Sequence, residues 1–274
     1  MLGAAVLSGC AMQQGAAPVK APAAGADPVQ VYAAGSLRDA LIEIARDHEA
    51  RTGQKVVLTF AASGLLRERI EQGAPAQVFA SADTKHPQRL ANQGQWQAPV
   101  VFTRNTLCAL AQGAVAVTSD TLLSTMLQPQ VRLGISTPKA DPAGDYAWAL
   151  FQKAEALQPG ATARLESKAL QLTGGANSAQ APAGRNTYAW VMEQNRADVF
   201  LTYCTNAVAA RAEVPSLQVV AVPEALQVGA AYGLTVRAGA CPGTGLCPGG
   251  VTAPGAGRAS SVGLCCTLRR AGSF

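Results

Sequence analysis

Apolar strand signals that give way to helical patterns recur along this chain, and the first three arrive close together. Val29 to Ala34 reads as a strand, broken at Gly35-Ser36. From Leu37 to Thr52 the residues Leu37, Ala40, Leu41, Ile44 and Ala45 hold the i, i+3, i+4 spacing of an amphipathic helix, and Gly53 ends it. Lys55 to Ala61 is a second strand, followed through Ser63 by a helix over Leu65 to Gln72 that Gly73 closes, and Val78 to Ser81 is a third strand. Alternation of this kind predicts α/β architecture with largely parallel sheets.

A new set of signals begins at Leu107 to Leu110. It continues with a helix around Asp120 to Leu127, a strand at Val131 to Ile135, helices at Gly144 to Ala156 and Asn186 to Gln194, and a strand at Val199 to Tyr203. Strands near Leu217 to Val222 and Tyr232 to Val236 complete the regular part. The pattern predicts two lobes with the chain crossing between them twice: residues 29–105 plus 222–240 form the first lobe and 106–221 the second. A ligand is then expected in the crevice facing the C-terminal ends of strands.

Ser36 and Ser63 both sit where a strand gives way to a helix, in Val31-Tyr-Ala-Ala-Gly-Ser-Leu37 and Phe60-Ala-Ala-Ser-Gly-Leu-Leu66. Each could be an ordinary N-cap. Taken as a pair they suggest an anion trap, because a helix N-terminus offers unpaired N–H groups and about half a unit of positive charge.

Composition narrows the partners. With 274 residues, 49% of them hydrophobic and 14% charged, the chain can bury a sizeable core. Its net charge of +5 falls to +2 once Arg258, Arg269 and Arg270 are set aside, which leaves no global basic field for nucleic acid. No apolar run approaches the ~20 residues of a membrane span. Leu7-Ser8-Gly9-Cys10 resembles a bacterial lipobox, so residues 1–10 read as a shortened lipoprotein signal with Cys10 as the acylated residue. Residues 11–28, mostly Ala, Pro, Gly and Gln, read as a flexible tether.

Of seven cysteines, Cys241, Cys247, Cys265 and Cys266 fall in a Gly- and Pro-rich tail over 241–274 that loses the earlier periodicity. The tail has no metal-ligand spacing and is expected to be disordered, as a frameshifted reading would be. Cys108 and Cys204 suit either a disulfide in an oxidising compartment or two buried thiols.

Several motifs now combine. Tyr32-Ala-Ala-Gly-Ser-Leu37, Phe60-Ala-Ala-Ser-Gly64, Gly73-Ala-Pro-Ala-Gln-Val-Phe-Ala-Ser-Ala-Asp83, Asp141-Pro-Ala-Gly144 and Val199-Phe-Leu-Thr-Tyr-Cys-Thr-Asn-Ala207 stand in the order in which the molybdate-binding components of bacterial ABC importers carry them. Over residues 29 to 238 the chain strongly resembles that family. The resemblance implies a type II periplasmic-binding-protein fold, each lobe a mixed β-sheet flanked by helices, closing on a tetrahedral oxyanion. It assigns the ligand to Ser36 and Ser63 from one lobe and to the Ala143 amide, the Arg185 amide and the Tyr203 hydroxyl from the other. Molybdate or tungstate would be held through these donors, with no protein atom ligating the metal and no cofactor. The implied partners are a membrane permease and its ATPase, and the implied setting is the periplasm or envelope, with a monomeric protein tethered by lipid.

Arg185 and Asn186 depart from the family, which usually has a valine at this point, and Gln77 replaces a frequent aspartate. The Arg185 guanidinium could contact the anion or face solvent from a helix start. A site of hydroxyl and amide donors suits a fully deprotonated dianion, since a bound O–H would lack an acceptor. Another oxyanion or a small organic anion is the alternative ligand.

An envelope enzyme is the alternative of another class. His48, placed on a solvated helix face, and His86, placed in a loop, fit no hydrolase elbow, and Gly174-Gly-Ala-Asn-Ser178 lacks the lysine of a phosphate loop. Nothing after Ala240 resembles the helices that complete the first lobe in the family, so an uncovered apolar face is expected there.

Overall fold

The computed structural model describes residues 27–240; Cys10, nearly all of the tether and the 241–274 tail lie outside the described residues. The first lobe opens with β1 (Val29–Ala34), a 3₁₀ turn at Gly35–Leu37, α1 (Arg38–Thr52), β2 (Val56–Ala61), α2 (Ser63–Glu71), β3 (Val78–Ser81) and α3 (Lys85–Ala91). Gly53 ends α1 at a φ of 71°, a left-handed conformation that glycine adopts without a Cβ clash. β4 (Val100–Ala111) leads into α4 (Leu122–Leu127), β5 (Leu133–Ser136), α5 (Pro142–Leu157), α6 (Ala161–Lys168), β6 (Leu170–Thr173), α7 (Thr187–Glu193), β7 (Val199–Tyr203), α8 (Cys204–Glu213) and β8 (Gln218–Ala221). β9 (Gly229–Val236) returns to the first lobe.

The strands run in the order β2-β1-β3-β9-β4-β7-β5-β6, with β8 also on β4. Each lobe contains a parallel set, β2-β1-β3 or β7-β5-β6, joined to antiparallel β9 and β4, so both are mixed sheets. β4 serves both. Its residues up to Thr106 pair with β9, and from Leu107 it pairs with β7 on one side, then from Cys108 with β8 on the other. The chain therefore crosses once along β4 and once between β8 and β9.

The longer β4 explains one difference from the sequence reading. Val100 to Thr106 alternates partly exposed and polar positions, and only Leu107 to Ala111 is an unbroken buried run that reads as a strand by itself. His48 is fully buried, not solvated, because 41, 45 and 48 form one helical stripe with Leu41 and Ala45. His86 lies in the first turn of α3, where Pro87 is tolerated and where the Asp83 carboxylate accepts the His86 N–H at 3.2 Å.

One apolar core runs through both lobes, from Val31, Val78 and Leu234 to Leu133, Phe151 and Leu201. Full burial of such side chains is worth about 1.5 to 3 kcal/mol each. Smaller clusters pack α2 and α3 on β3 through Leu66, Phe79 and Leu90, and α7 and α8 on β7 through Met192, Phe200 and Ala210. The lobes meet where the Tyr203 hydroxyl at the end of β7 reaches the Ala82 carbonyl just after β3, and where the Gly64 N–H at the start of α2 reaches the Ala140 carbonyl before α5.

Candidate functional site

Neither serine caps its helix. The N-cap positions belong to Leu37 and Ala62, so Ser36 falls within the 3₁₀ turn and Ser63 is the first residue of α2. Each hydroxyl is instead engaged by another strand of the same lobe or the residue just after it. Ser63, 1% exposed, accepts the Ala82 N–H at 3.1 Å, and the Ser36 hydroxyl lies 2.9 Å from that of Tyr232 on β9.

The opposite wall begins at α5. Asp141 is its N-cap, Pro142 occupies the first turn without wasting a donor, and the Asp141 carboxylate accepts the Ala143 N–H at 3.1 Å. The Ala143 amide, expected to face the ligand, is thus already committed to a carboxylate. Gly174 makes room for that carboxylate: a Cβ there would lie 2.5 Å from Asp141 Oδ2. Tyr203 ends β7 and donates its hydroxyl to the Ala82 carbonyl at 3.1 Å.

Arg185 is placed differently. Its amide donates to the Pro182 carbonyl at 3.1 Å, and its guanidinium pairs with Glu213 and, at 2.9 Å, with Glu193. No hydrogen bond joins it to the other four candidates. The physical reason is local: Asn186 caps α7 by accepting from Tyr188 and Ala189, and the two acidic side chains on α7 and α8 hold the arginine at the surface.

The other four come together. Ser63 and Tyr203 meet at the two polar groups of Ala82, and the Tyr203 ring packs at 5.4 Å on Tyr232, the partner of Ser36. Ala143 lies three residues beyond Ala140, whose carbonyl accepts the Gly64 N–H at 2.8 Å. That bond presses the start of α2 onto the loop before α5, and only glycine fits: a Cβ on Gly64 would lie 2.6 Å from the Ala140 oxygen.

Burial dominates the electrostatics. It pushes the Tyr203 and Tyr232 phenols far above their usual range and Tyr188 up to about 12, so all three remain neutral donors. Burial also raises the Asp141 carboxyl to about 6, against the pull of the Ala143 N–H and Ser136. Behind it, the Ser136 and Thr173 hydroxyls at the ends of β5 and β6 lie 2.9 Å apart.

Sequence reasoning did not single out Tyr232, Asn105 or Asp141 as separate contributors. Asp141 had a signal, since Asp before Pro at a helix start is a capping signature. Tyr232 and Asn105 had none, because β9 and β4 bring them to Ser36 from far along the chain. Among the described residues no cluster of three or more His, Cys, Asp or Glu could hold a metal, and no helix is long and apolar enough to cross a membrane. Cys108 and Cys204 form a disulfide, S–S 2.03 Å, which fastens the residue after Tyr203 to β4.

Comparison with known proteins agrees with this architecture. A family model described as bacterial extracellular solute-binding protein matches residues 29–241. An uncharacterized protein of Pasteurella multocida is 37% identical over 207 residues, covering 75% of this chain and 86% of that protein. The molybdate-binding protein ModA of Escherichia coli is 34% identical over 135 residues, 46% of this chain and 51% of its own length. Among solved structures, the periplasmic molybdate-binding protein of Azotobacter vinelandii superposes with a TM-score of 0.62 at 18% identity, covering 90% of this chain and 98% of that one. The sulfate-binding protein SubI of Mycobacterium tuberculosis does so with 0.65 at 13% identity, covering 89% and 82%.

Proposed function

The chain belongs to the bacterial extracellular solute-binding protein family, and from that premise we propose that it captures molybdate or tungstate between its lobes and delivers the ion to the permease of an ABC importer. The observation that carries this reading is the convergence of three neutral hydroxyl donors, Ser36, Ser63 and Tyr203, around Ala82 and Tyr232. An entering dianion replaces the Ala82 carbonyl as acceptor for Tyr203 and replaces Asp141 as acceptor for the Ala143 amide. Charge-assisted hydrogen bonds of this kind contribute about 1.5 to 3 kcal/mol each. The Gly64 to Ala140 bond marks how closely the lobes meet around the ion. The Arg185 guanidinium, tied to Glu193 and Glu213, takes no direct part.

The remaining proposals follow the same premise. The protein works in the cell envelope as a monomer, held by acylation at Cys10, and the energy of ATP hydrolysis enters through the ATPase subunit of its importer. The likeness in fold to a sulfate-binding protein favours a second reading, in which the ion is another tetrahedral dianion.

Thermal unfolding with molybdate, tungstate, sulfate and phosphate added in turn separates these. A specific ion at 100 times its dissociation constant stabilises by about 2.7 kcal/mol. A shift with molybdate and tungstate is expected; a shift with sulfate alone redirects the assignment, and no shift with any of the four rejects oxyanion capture.

A further inference from the structure

The Ser36 hydroxyl has one hydrogen-bond partner among the described residues, the Tyr232 hydroxyl at 2.9 Å, and the next link fixes the direction of that bond. Asn105 Nδ2 donates to the Tyr232 oxygen at 3.1 Å and to Thr205 Oγ1 at 3.0 Å. The amide cannot be turned round, because its Oδ1 accepts the Thr106 N–H at 2.9 Å. Tyr232 is 1% exposed, and burial keeps its phenol protonated. A buried hydroxyl proton needs an acceptor, and Ser36 Oγ is the one within reach. Tyr232 therefore donates to Ser36, and the proton of Ser36 itself is left free for another acceptor.

Building on the oxyanion reading above, we propose that Asn105 and Tyr232 are positioning residues that hold the Ser36 oxygen as an acceptor and so set its proton as a donor to the bound oxyanion. Ser63 has the same polarity by a different route, since its oxygen is occupied by the Ala82 N–H. Without that partner the Ser36 hydroxyl is free to rotate, and its proton is no longer held in one direction. Bonds in series also polarise one another, strengthening each by about 10 to 30%. The relay spans the point where β4 changes partners, with Asn105 and Thr106 opposite β9 and Leu107 opposite Tyr203. Orientation of the first-lobe donor is thus fixed from the strand that joins the lobes.

The test uses the full chain as wild type, Y232F, S36A and the double variant, titrated by calorimetry with molybdate and with hydrogen phosphate. The Tyr232 hydroxyl proton is followed by NMR. Phenylalanine keeps the ring that packs on Tyr203 and Phe102. Y232F is expected to weaken molybdate binding roughly five- to thirtyfold. S36A weakens it at least as much, the double variant binds no more weakly than S36A, and S36A moves the Tyr232 resonance upfield. Wild-type affinity in Y232F, additive losses in the double variant, or a Tyr232 resonance indifferent to S36A overturns the proposal. If Y232F does not fold, N105A carries the same expectation with a smaller loss, and wild-type affinity there overturns it equally. Wild-type protein that binds neither anion while the resonance responds to S36A rejects the oxyanion reading and the positioning role together, yet leaves the direction of the hydrogen bond standing.

Discussion

Tyr203, at the end of β7, donates its hydroxyl to the Ala82 carbonyl of the other lobe at 3.1 Å. The bond joins the two lobes through a buried phenol, the group that turns to the anion on the oxyanion reading. Tyr203→Phe removes one charge-assisted donor and one bond between lobes. Molybdate affinity is expected to fall roughly 10- to 100-fold, with a stability loss of about 0.5 to 1.5 kcal/mol, measured by calorimetric titration and urea unfolding of the same samples.

Ser63 carries two tasks, and Ser63→Ala exposes both. Its oxygen satisfies the Ala82 N–H in a buried setting, so alanine orphans that donor and lowers stability by about 1 to 3 kcal/mol. Anion binding weakens as well. A variant as stable as wild type would show that water or a neighbour replaces the serine.

Gly64→Ala tests how closely the lobes must meet. The added methyl falls 2.6 Å from the Ala140 carbonyl oxygen, so the loop before α5 has to move away. Molybdate affinity should drop at least tenfold, an expectation set by the loss of about one charge-assisted bond. Small-angle scattering in saturating molybdate should show a larger radius of gyration than wild type.

Stability should depend on pH through Asp141. Burial raises its carboxyl to about 6, whereas in the unfolded chain it titrates near 3.9. Between these values the folded protein binds the extra proton, so stability falls as pH rises through the window from about 4 to about 6, by on the order of 3 kcal/mol. Asp145, Tyr188, Tyr203 and Tyr232 face the same group, and the three phenols stay neutral across this range. Asp141→Asn keeps a capping oxygen for the Ala143 N–H and removes the titration. Urea unfolding from pH 4 to 8 should show D141N gaining on wild type as pH rises; parallel curves would contradict the assignment.

The Cys108–Cys204 disulfide closes a loop across 96 positions of sequence, and a loop of that length restricts the unfolded chain strongly. Replacing both cysteines by alanine should cost about 2 to 4 kcal/mol. Because Cys204 follows Tyr203 directly, molybdate titration of the same variant shows whether the bond also steadies the phenol.

Local pattern was enough for the βα alternation, the helix endings at Gly53 and Gly73, the helix that begins near Asn186 and the strand that ends in Tyr203, because periodicity and punctuation are properties of short segments. Resemblance in motif added Ser36, Ser63, Ala143, Arg185 and Tyr203 as candidates. Which of them meet was decided only in three dimensions. Ser63 and Tyr203 share Ala82 because β3 and β7 end against each other, whereas the Arg185 amide bonds to Pro182 and its guanidinium to Glu193 and Glu213, on separate helices. The burial of His48 follows from helix phase, but which stripe faces inward depends on the sheet beneath. Tyr232 and Asn105 carried no signal at all, since their effect is to orient a proton on Ser36, 196 positions before Tyr232 in the chain. Sequence determines which groups can donate or accept; the direction of each hydrogen bond depends on what the tertiary fold places at both ends.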